Sequence, residues 1–307
     1  QWTYSQVPWP HLVYDQVIDP EGEEKKAVSQ VRRSSSFSWL SPRNGLPKWL
    51  THEILSKYSS LVGLLPEERR LTSVDDLAHM LSRHNSVLVK PNYGSRGRGI
   101  TMIWRETADT YGLRYSGEEE IAKGLTLQEA YSLASNYAGD DYLVVSQQIP
   151  LLRIGNSLTD IRIIMGKSLQ GDWYPVLSIM RMGKEGSFVT NWSMGAQEVP
   201  LAQGLEAAGL PPARVDALVN QVLEISFRLA NVLEAGRGHL IEIGLDLAFD
   251  TNLRLWFIEA NASPGKEAED ANSIPPYFAC IIDGALYLWN SRQQRRSRSR
   301  QYRRPQS

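Results

Sequence analysis

The segment VLVKPNYGSRGRGI (residues 87–100) runs from an apolar stretch ending at Lys90 into a loop with three glycines, one serine and two arginines in six positions. Apolar residues alternate through SVLVKP (86–91), and GITMIW (99–104) again has the composition of a strand. The order is therefore strand, glycine loop, strand. In a Walker A loop or a Rossmann turn the glycine loop opens a helix, so both are excluded. Gly94, Gly97 and Gly99 let the backbone take positive φ and bring its amides close to an anion. Lys90 places a compact charge at the end of the preceding strand, and Arg96 and Arg98 add to that field. Taken alone, the loop fits either a phosphate cradle or a plain glycine hairpin.

Upstream, TSVDDLAHMLSRH (72–84) reads as a helix with Ser73 and Asp76 as a cap-like pair, and LPKWLTHEILSKY (46–58) as a shorter one. EGEEKKAVSQVRRSSS (21–36) is polar throughout and reads as a mobile loop. Downstream, Thr126 and Glu129 form a capping box that opens a helix over 126–138, and a strand over 141–151 stops at Pro150. DIRIIMG (160–166) and WYPVLSIMRM (173–182) read as an antiparallel pair. Val215, Leu218, Val219, Val222, Leu229, Val232 and Leu233 follow the helical period over 214–236. Two strands then follow, 239–250 and 254–262, with a turn at Thr251 and Asn252. The expected class is α+β with mostly antiparallel sheet.

The last two strands carry chemistry. Ile241, Ile243, Leu245, Leu247 and Phe249 alternate onto one face, leaving Glu242, Asp246 and Asp250 on the other. Glu259 and Asn261 share a face roughly 7 Å apart. A hairpin that brings Asp246 to Glu259 and Asn261 assembles hard oxygen donors suited to Mg²⁺. A polar sheet face in water is the plain alternative, but a carboxylate and an amide interrupting an apolar strand need a compensating partner.

Composition bounds the rest. The 307 residues suffice for one large or two medium domains, and 42% hydrophobic with 22% charged residues is ordinary for a globular chain. No apolar run approaches the roughly 20 residues of a membrane span, and no signal-peptide pattern opens the chain. Cys280 is the single cysteine, which excludes an internal disulfide and points to a reducing compartment, the cytoplasm. The five histidines have no metal-ligand spacing. Residues 291–307 hold seven arginines and no acid, leaving 26 basic against 34 acidic residues in the remainder. That tail is expected to be disordered and is the only part that suggests nucleic-acid binding.

Lys-Pro before a glycine hairpin, then VVSQQI (144–149), DIRII (160–164) and Asp246…Glu259-x-Asn261, in that order over roughly residues 71–285, resembles the ATP-grasp superfamily. The resemblance implies two α+β subdomains, 71–146 and 147–290, that clasp ATP after a lead-in segment 1–70. It implies that Lys90 contacts the phosphates and that Gly94, Ser95, Arg96, Gly97, Arg98 and Gly99 cover them. Gln147, Gln148 and Ile149 then hold adenine, and Asp246, Glu259 and Asn261 bind Mg²⁺. TDIRIIMG (159–166), SIMRM (178–182), FVTNWSMGA (188–196) and EANASPG (259–265) are similar to the ribosomal-protein glutamate ligase branch. There Arg162 and Asn191 act with Lys90 on the transferred phosphate, and Asp160, Arg181, Asn191 and Ser263 lie on the substrate side. Asp160, two residues from Arg162 on the same strand face, is expected to orient Arg162 or touch substrate, with a plain salt bridge as the alternative. The chain departs from that branch at Met194, where an arginine and two glycines usually follow the asparagine. HLVYDQV (11–17), LPKWLTHEIL (46–55) and LLPEERRLTSVDDL (64–77) are similar to the YheC/YheD-like spore-coat-associated ATP-grasp proteins. The implied function is a MgATP-dependent carboxylate–amine or carboxylate–thiol ligase, cytoplasmic with a spore association. A kinase on the same fold, or a coat-associated structural protein with vestigial nucleotide binding, are the alternatives.

Overall fold

The computed structural model describes residues 5–6, 8–17, 22–34, 37–42, 45–94, 97–118, 121–139, 142–190, 196–265 and 276–301. The lead-in holds β1 (Leu12–Val13), α1 (Gly22–Arg33), β2 (Ser38–Trp39), α2 (Lys48–Leu55) and α3 (Ser59–Val62), with β1 and β2 paired in parallel. Next come β3 (Glu68–Leu71), α4 (Val74–Arg83), β4 (Ser86–Pro91), β5 (Thr101–Arg105), β6 (Tyr111–Tyr115), β7 (Ile121–Leu125), α5 (Leu127–Ala138) and β8 (Leu143–Gln147). These strands form an antiparallel sheet ordered β3-β8-β4-β5-β6-β7. The remainder is β9 (Arg153–Ile154), β10 (Ser157–Lys167), β11 (Trp173–Met182), β12 (Gln197–Pro200), α6 (Leu201–Ala207), α7 (Pro212–Arg237), β13 (Glu242–Phe249), β14 (Leu255–Asn261) and α8 (Pro276–Gln301). Its sheet is also antiparallel, ordered β12-β11-β10-β13-β14, with β9 beside β10.

Alternation decides which side of each sheet is dry. In the first sheet Val87 and Val89 of β4, Ile103, Leu113 and Val145 pack under Leu77 and Met80 of α4 and Ala130 and Ala134 of α5. Both helices start where the sequence places their caps. The Asp76 carboxylate accepts from the Ser73 amide at 3.1 Å, and Glu129 Oε2 from the Thr126 amide at 2.8 Å. In the second sheet Ile161, Ile163 and Met165, with Ile243, Leu245 and Leu247, pack under α7 through Leu218, Val222, Leu229 and Leu233. Ser86, Leu88 and Lys90 of β4, and Asp160 of β10, Arg181 of β11, Asp246 of β13 and Glu259 of β14, face the space between the two sheets.

Several boundaries differ from the sequence reading. Residues 22–33 are helix α1, not a loop: Glu23 and Glu24 open it and Arg32 and Arg33 close it, a charge order that favours the macrodipole. Ile54 and Leu55 of α2, Leu61 of α3 and Leu65 join the core under the second sheet, while β3 begins at Glu68 as an edge of the first. The helix over 46–58 shortens to Lys48–Leu55, since Pro47 serves as its N-cap. The arginine-rich tail does not begin as free chain, because α8 continues to Gln301.

Helix α8 docks through two glycines. A Cβ at Gly166 of β10 would stand 2.5 Å from Cys280 Cβ, and one at Gly284 of α8 would stand 2.6 Å from Ile241 Cβ. Gly284→Ala gains roughly 1 kcal/mol of helix propensity but overpacks this seam. The expected outcome is a net loss of about 1–2 kcal/mol, read as a lower midpoint in thermal unfolding.

Candidate active site

Between the two sheets lies a cleft of about 500 Å³, within the usual range for a small-molecule site. The first sheet faces it with Ser86, Leu88 and Lys90 of β4 and Met102 of β5. The glycine loop closes over this wall. Gly97 and Gly99 adopt φ of 71° and 70°, and a side chain at Gly94 would meet Pro91 Cγ at 2.4 Å. Gly94, Gly97 and Arg98 line the cleft. Ser95 and Arg96 lie outside the described residues. At the floor, β8 ends in Gln147 and the chain continues through Gln148 and the buried Ile149, all three lining the cleft. The Gln147 amide donates to Glu67 O at 2.8 Å and that of Gln148 to Ser86 O at 3.3 Å, which fixes the strand exit.

The second sheet supplies the acids by register. Asp160 of β10 stands opposite Arg181 of β11, Arg162 of β10 opposite Asp246 of β13, and Asp246 opposite Glu259 of β14. Because cross-strand partners share a face, one polar row runs across four strands. The Arg162 guanidinium holds Asp246 in a two-pronged pair, with Nη2 to Oδ2 at 2.8 Å, and Arg181 Nη2 reaches the same oxygen at 3.0 Å. Arg181 Nε donates to Asp160 Oδ1 at 2.7 Å, and Thr190 Oγ1 to Asp160 Oδ2 at 2.5 Å. Burial alone pushes the Asp246 carboxyl up, but Arg162 and Arg181 outweigh it and hold the group at about 2. Burial, with Asp246 nearby, raises Asp160 despite Arg181. Arg181 is buried, but the two carboxylates keep it firmly charged.

Lys90 is buried at the opposite wall. Burial, with Lys48 beside it, pushes its ammonium down, while Glu68 at 4.0 Å and Glu259 pull the other way. Lys48 is the residue that sequence reasoning missed. Its Nζ donates to Gly94 O at 2.7 Å and sits 3.4 Å from Glu259 Oε2, so it spans from the glycine loop to the acidic row. The start of α2 is seated for this by Asn92, which accepts from the Lys48 amide at 3.2 Å and, through Oδ1, from the Trp49 amide at 2.9 Å. One signal was available: a lysine at the first position of a helix opposes the macrodipole and needs an acceptor or an anion nearby. A second tie crosses the mouth of the cleft, where Arg114 of β6 donates to Gly186 O at 2.9 Å and lies 5.8 Å from the Phe188 ring centre.

Other expectations shift. Asp160 positions Arg181 and not Arg162. Arg162 does not itself line the cleft; it backs Asp246. Ser263 donates to Asp15 O at 3.2 Å and is not among the lining residues. Asn261 pairs across the strands with Gly244, one step beyond the Asp246–Glu259 pair. Asn191 and Met194 fall outside the described residues. No group of three His, Cys, Asp or Glu among the described residues is arranged to hold a metal ion.

Two six-stranded antiparallel sheets gripping a cleft between a glycine-loop lysine and an acidic row define an ATP-grasp protein. The fold matches D-alanyl-alanine synthetase A from Vibrio cholerae with a TM-score of 0.51 at 15% identity, covering 83% of this chain and 67% of that one. It matches N5-carboxyaminoimidazole synthetase from Staphylococcus aureus with a TM-score of 0.52 at 10% identity, covering 89% and 60%. More narrowly, the YheC/D-like ATP-grasp family model matches residues 36–288, and the chain belongs to that family. It is 22% identical to the endospore coat-associated protein YheC of Bacillus subtilis, over 96% of this chain and 82% of YheC. It is 23% identical to YheD of the same organism over 86% of this chain, but spans only 59% of YheD.

Proposed function

We propose that the chain is a MgATP-dependent carboxylate–amine ligase acting through an acyl phosphate. A substrate carboxylate oxygen attacks the γ-phosphorus, the bond to the β,γ-bridging oxygen breaks, and ADP leaves. The amine nitrogen then attacks the acyl carbon, the carbon–oxygen bond to phosphate breaks, and the nitrogen gives up a proton. The observation that carries this reading is the facing of Lys48 and Lys90 with Asp246 and Glu259 across a cleft of substrate size.

Lys90 and Lys48 neutralise the phosphates, and Gly94 to Gly99 cover them with backbone amides. Gln147, Gln148 and Ile149 hold adenine. Arg181, held by Asp160 and Asp246 at the lining of the cleft, supplies positive charge toward the substrate carboxylate. Arg162 acts through Asp246, which it holds, while Asn191 on the transferred group and Ser263 on the substrate side follow the family resemblance. Mg²⁺, when bound, neutralises phosphate charge. Asp246 and Glu259 are hard-oxygen donors paired by register, with Asn261 next along the strand, and that chemistry fits the ion. Positioning and charge, more than covalent chemistry by the protein, supply the catalysis.

Titration calorimetry with MgATP tests the reading. The wild type is expected to bind with a clear dependence on Mg²⁺, and Glu259→Ala to lose about tenfold or more in affinity. No binding by the wild type, or binding by Glu259→Ala that responds to Mg²⁺ as before, sinks it. Stoichiometry then separates ligase from kinase. A ligase releases ADP and phosphate only with acid and amine both present, while a kinase leaves a stable phosphorylated product.

A further inference from the structure

The first half of α8 is apolar on two sides. Cys280, Gly284 and Leu288 turn inward, against Gly166 and Ile241. Phe278, Ile282 and Leu286, four residues apart, stand 44%, 58% and 45% exposed on another side. A helix that is apolar all round is normally covered all round. Directly beyond this stretch the chain turns strongly basic, with seven arginines and no acid over 291–307, and the helix runs into that segment as far as Gln301. A third feature meets the other two. His11 packs edge-on against Trp289 of α8 with ring centres 5.0 Å apart, and two residues before it Trp9 is 71% exposed. A large exposed indole therefore lies near the point where the arginines begin.

We propose that α8 and its arginine-rich end form a peripheral anchor that lays the chain on an anionic lipid surface. The apolar stripe enters the boundary between headgroups and acyl chains, the arginines pair with lipid phosphates and carboxylates, and the indole sits at headgroup depth. The remaining chain carries 26 basic against 34 acidic residues, so its own charge repels such a surface and confines contact to this end. No described helix is long and apolar enough to cross a membrane, which fits an element that lies on one. Exposed Phe, Ile and Leu add nothing to a purely electrostatic hold on nucleic acid. Three half-exposed side chains also fall well short of the roughly 800 Å² per partner that a stable dimer buries.

Co-sedimentation of the full chain with vesicles tests the anchor. One set contains equal parts phosphatidylcholine and phosphatidylserine; the other contains phosphatidylcholine alone. The chain is expected to bind the first set and not the second. Raising salt from about 0.1 M to about 1 M, which shortens the Debye length from ~10 Å to ~3 Å, should release it. Because stable attachment needs both signals, Ile282→Asp and a chain ending at Asn290 should each lower vesicle binding by about tenfold or more. Ile282 is exposed, so the fold should tolerate the change; Leu286→Gln repeats the test, and an unchanged melting temperature in either variant shows that the fold is intact. Equal binding to both vesicle sets overturns the proposal, as does anionic binding that survives Ile282→Asp and Leu286→Gln. Tight, salt-sensitive binding to RNA or DNA without vesicle binding assigns the tail to nucleic acid instead. A dimer in solution that Ile282→Asp dissociates assigns the stripe to a second copy.

Discussion

Lys90→Met is expected to lower ADP release by roughly two to three orders of magnitude, the usual cost of removing one preorganised charge from a transferred group. Stability should barely change. Lys90 is buried, and burial already presses its ammonium toward the neutral form. Methionine has a similar shape and no charge to desolvate, and replacing a buried ion by an apolar isostere is often neutral or stabilising. The carboxylate left behind is not stranded, since Glu68 keeps His52 at 3.4 Å. A residue that costs the apo fold something and lines a cleft is retained for what enters the cleft. The check pairs an ADP-release assay with thermal unfolding. Turnover within a few-fold of wild type removes Lys90 from the phosphate site, and a large drop in melting temperature makes it a structural residue.

The sequence disclosed the parts of this site that local pattern encodes. Alternation in LIEIGLDLAFD separates the dry face from Asp246, but the register running back from the turn at Thr251–Asn252 points Asp246 at Ile258, and a bulge between Asp246 and Leu247 brings Glu259 opposite it instead. The glycine loop is legible because positive φ at Gly97 and Gly99 demands glycine. What stayed hidden depends on distant register. Asp160 and Arg162 lie two apart on one strand, roughly 7 Å from each other, so adjacency in sequence suggested a pair. Cross-strand neighbours come closer, about 5 Å between Cβ atoms, and each residue found its partner there: Arg181 for Asp160 and Asp246 for Arg162. Lys48 escaped for the same reason, since it reaches the site only because α2 packs into the second core while leaning on Asn92. Helix α1 stayed hidden because only Ala27, Val28 and Val31 break its polar run and it buries no side chain.

Asp246→Asn is expected to destabilise the chain by about 3–5 kcal/mol, the usual cost of breaking a buried charge pair from one side. Asp246 is 2% exposed and, among the described residues, is the only acid that both guanidiniums share. Without its charge, Arg162 loses its carboxylate, and Arg181 must rely on Asp160. Acid should act in the same direction on the wild type. A carboxyl depressed from its ordinary 3.8 to about 2 contributes stability that is complete above pH 3.8 and is lost as the pH falls through about 2. Asp160 has the opposite sign. Its pKa is raised, so the folded state takes its proton more readily than the unfolded chain, and protonation there favours the fold as the pH falls. Asp160→Asn should therefore be the milder change at neutral pH, although Arg181 and Thr190 touch that residue directly. Urea unfolding of the wild type and both variants at neutral pH measures the contrast. Equal losses for the two variants would mean that Arg181 depends on both acids alike, and the acidic row would then be a single ion cluster with no privileged carboxylate at Asp246.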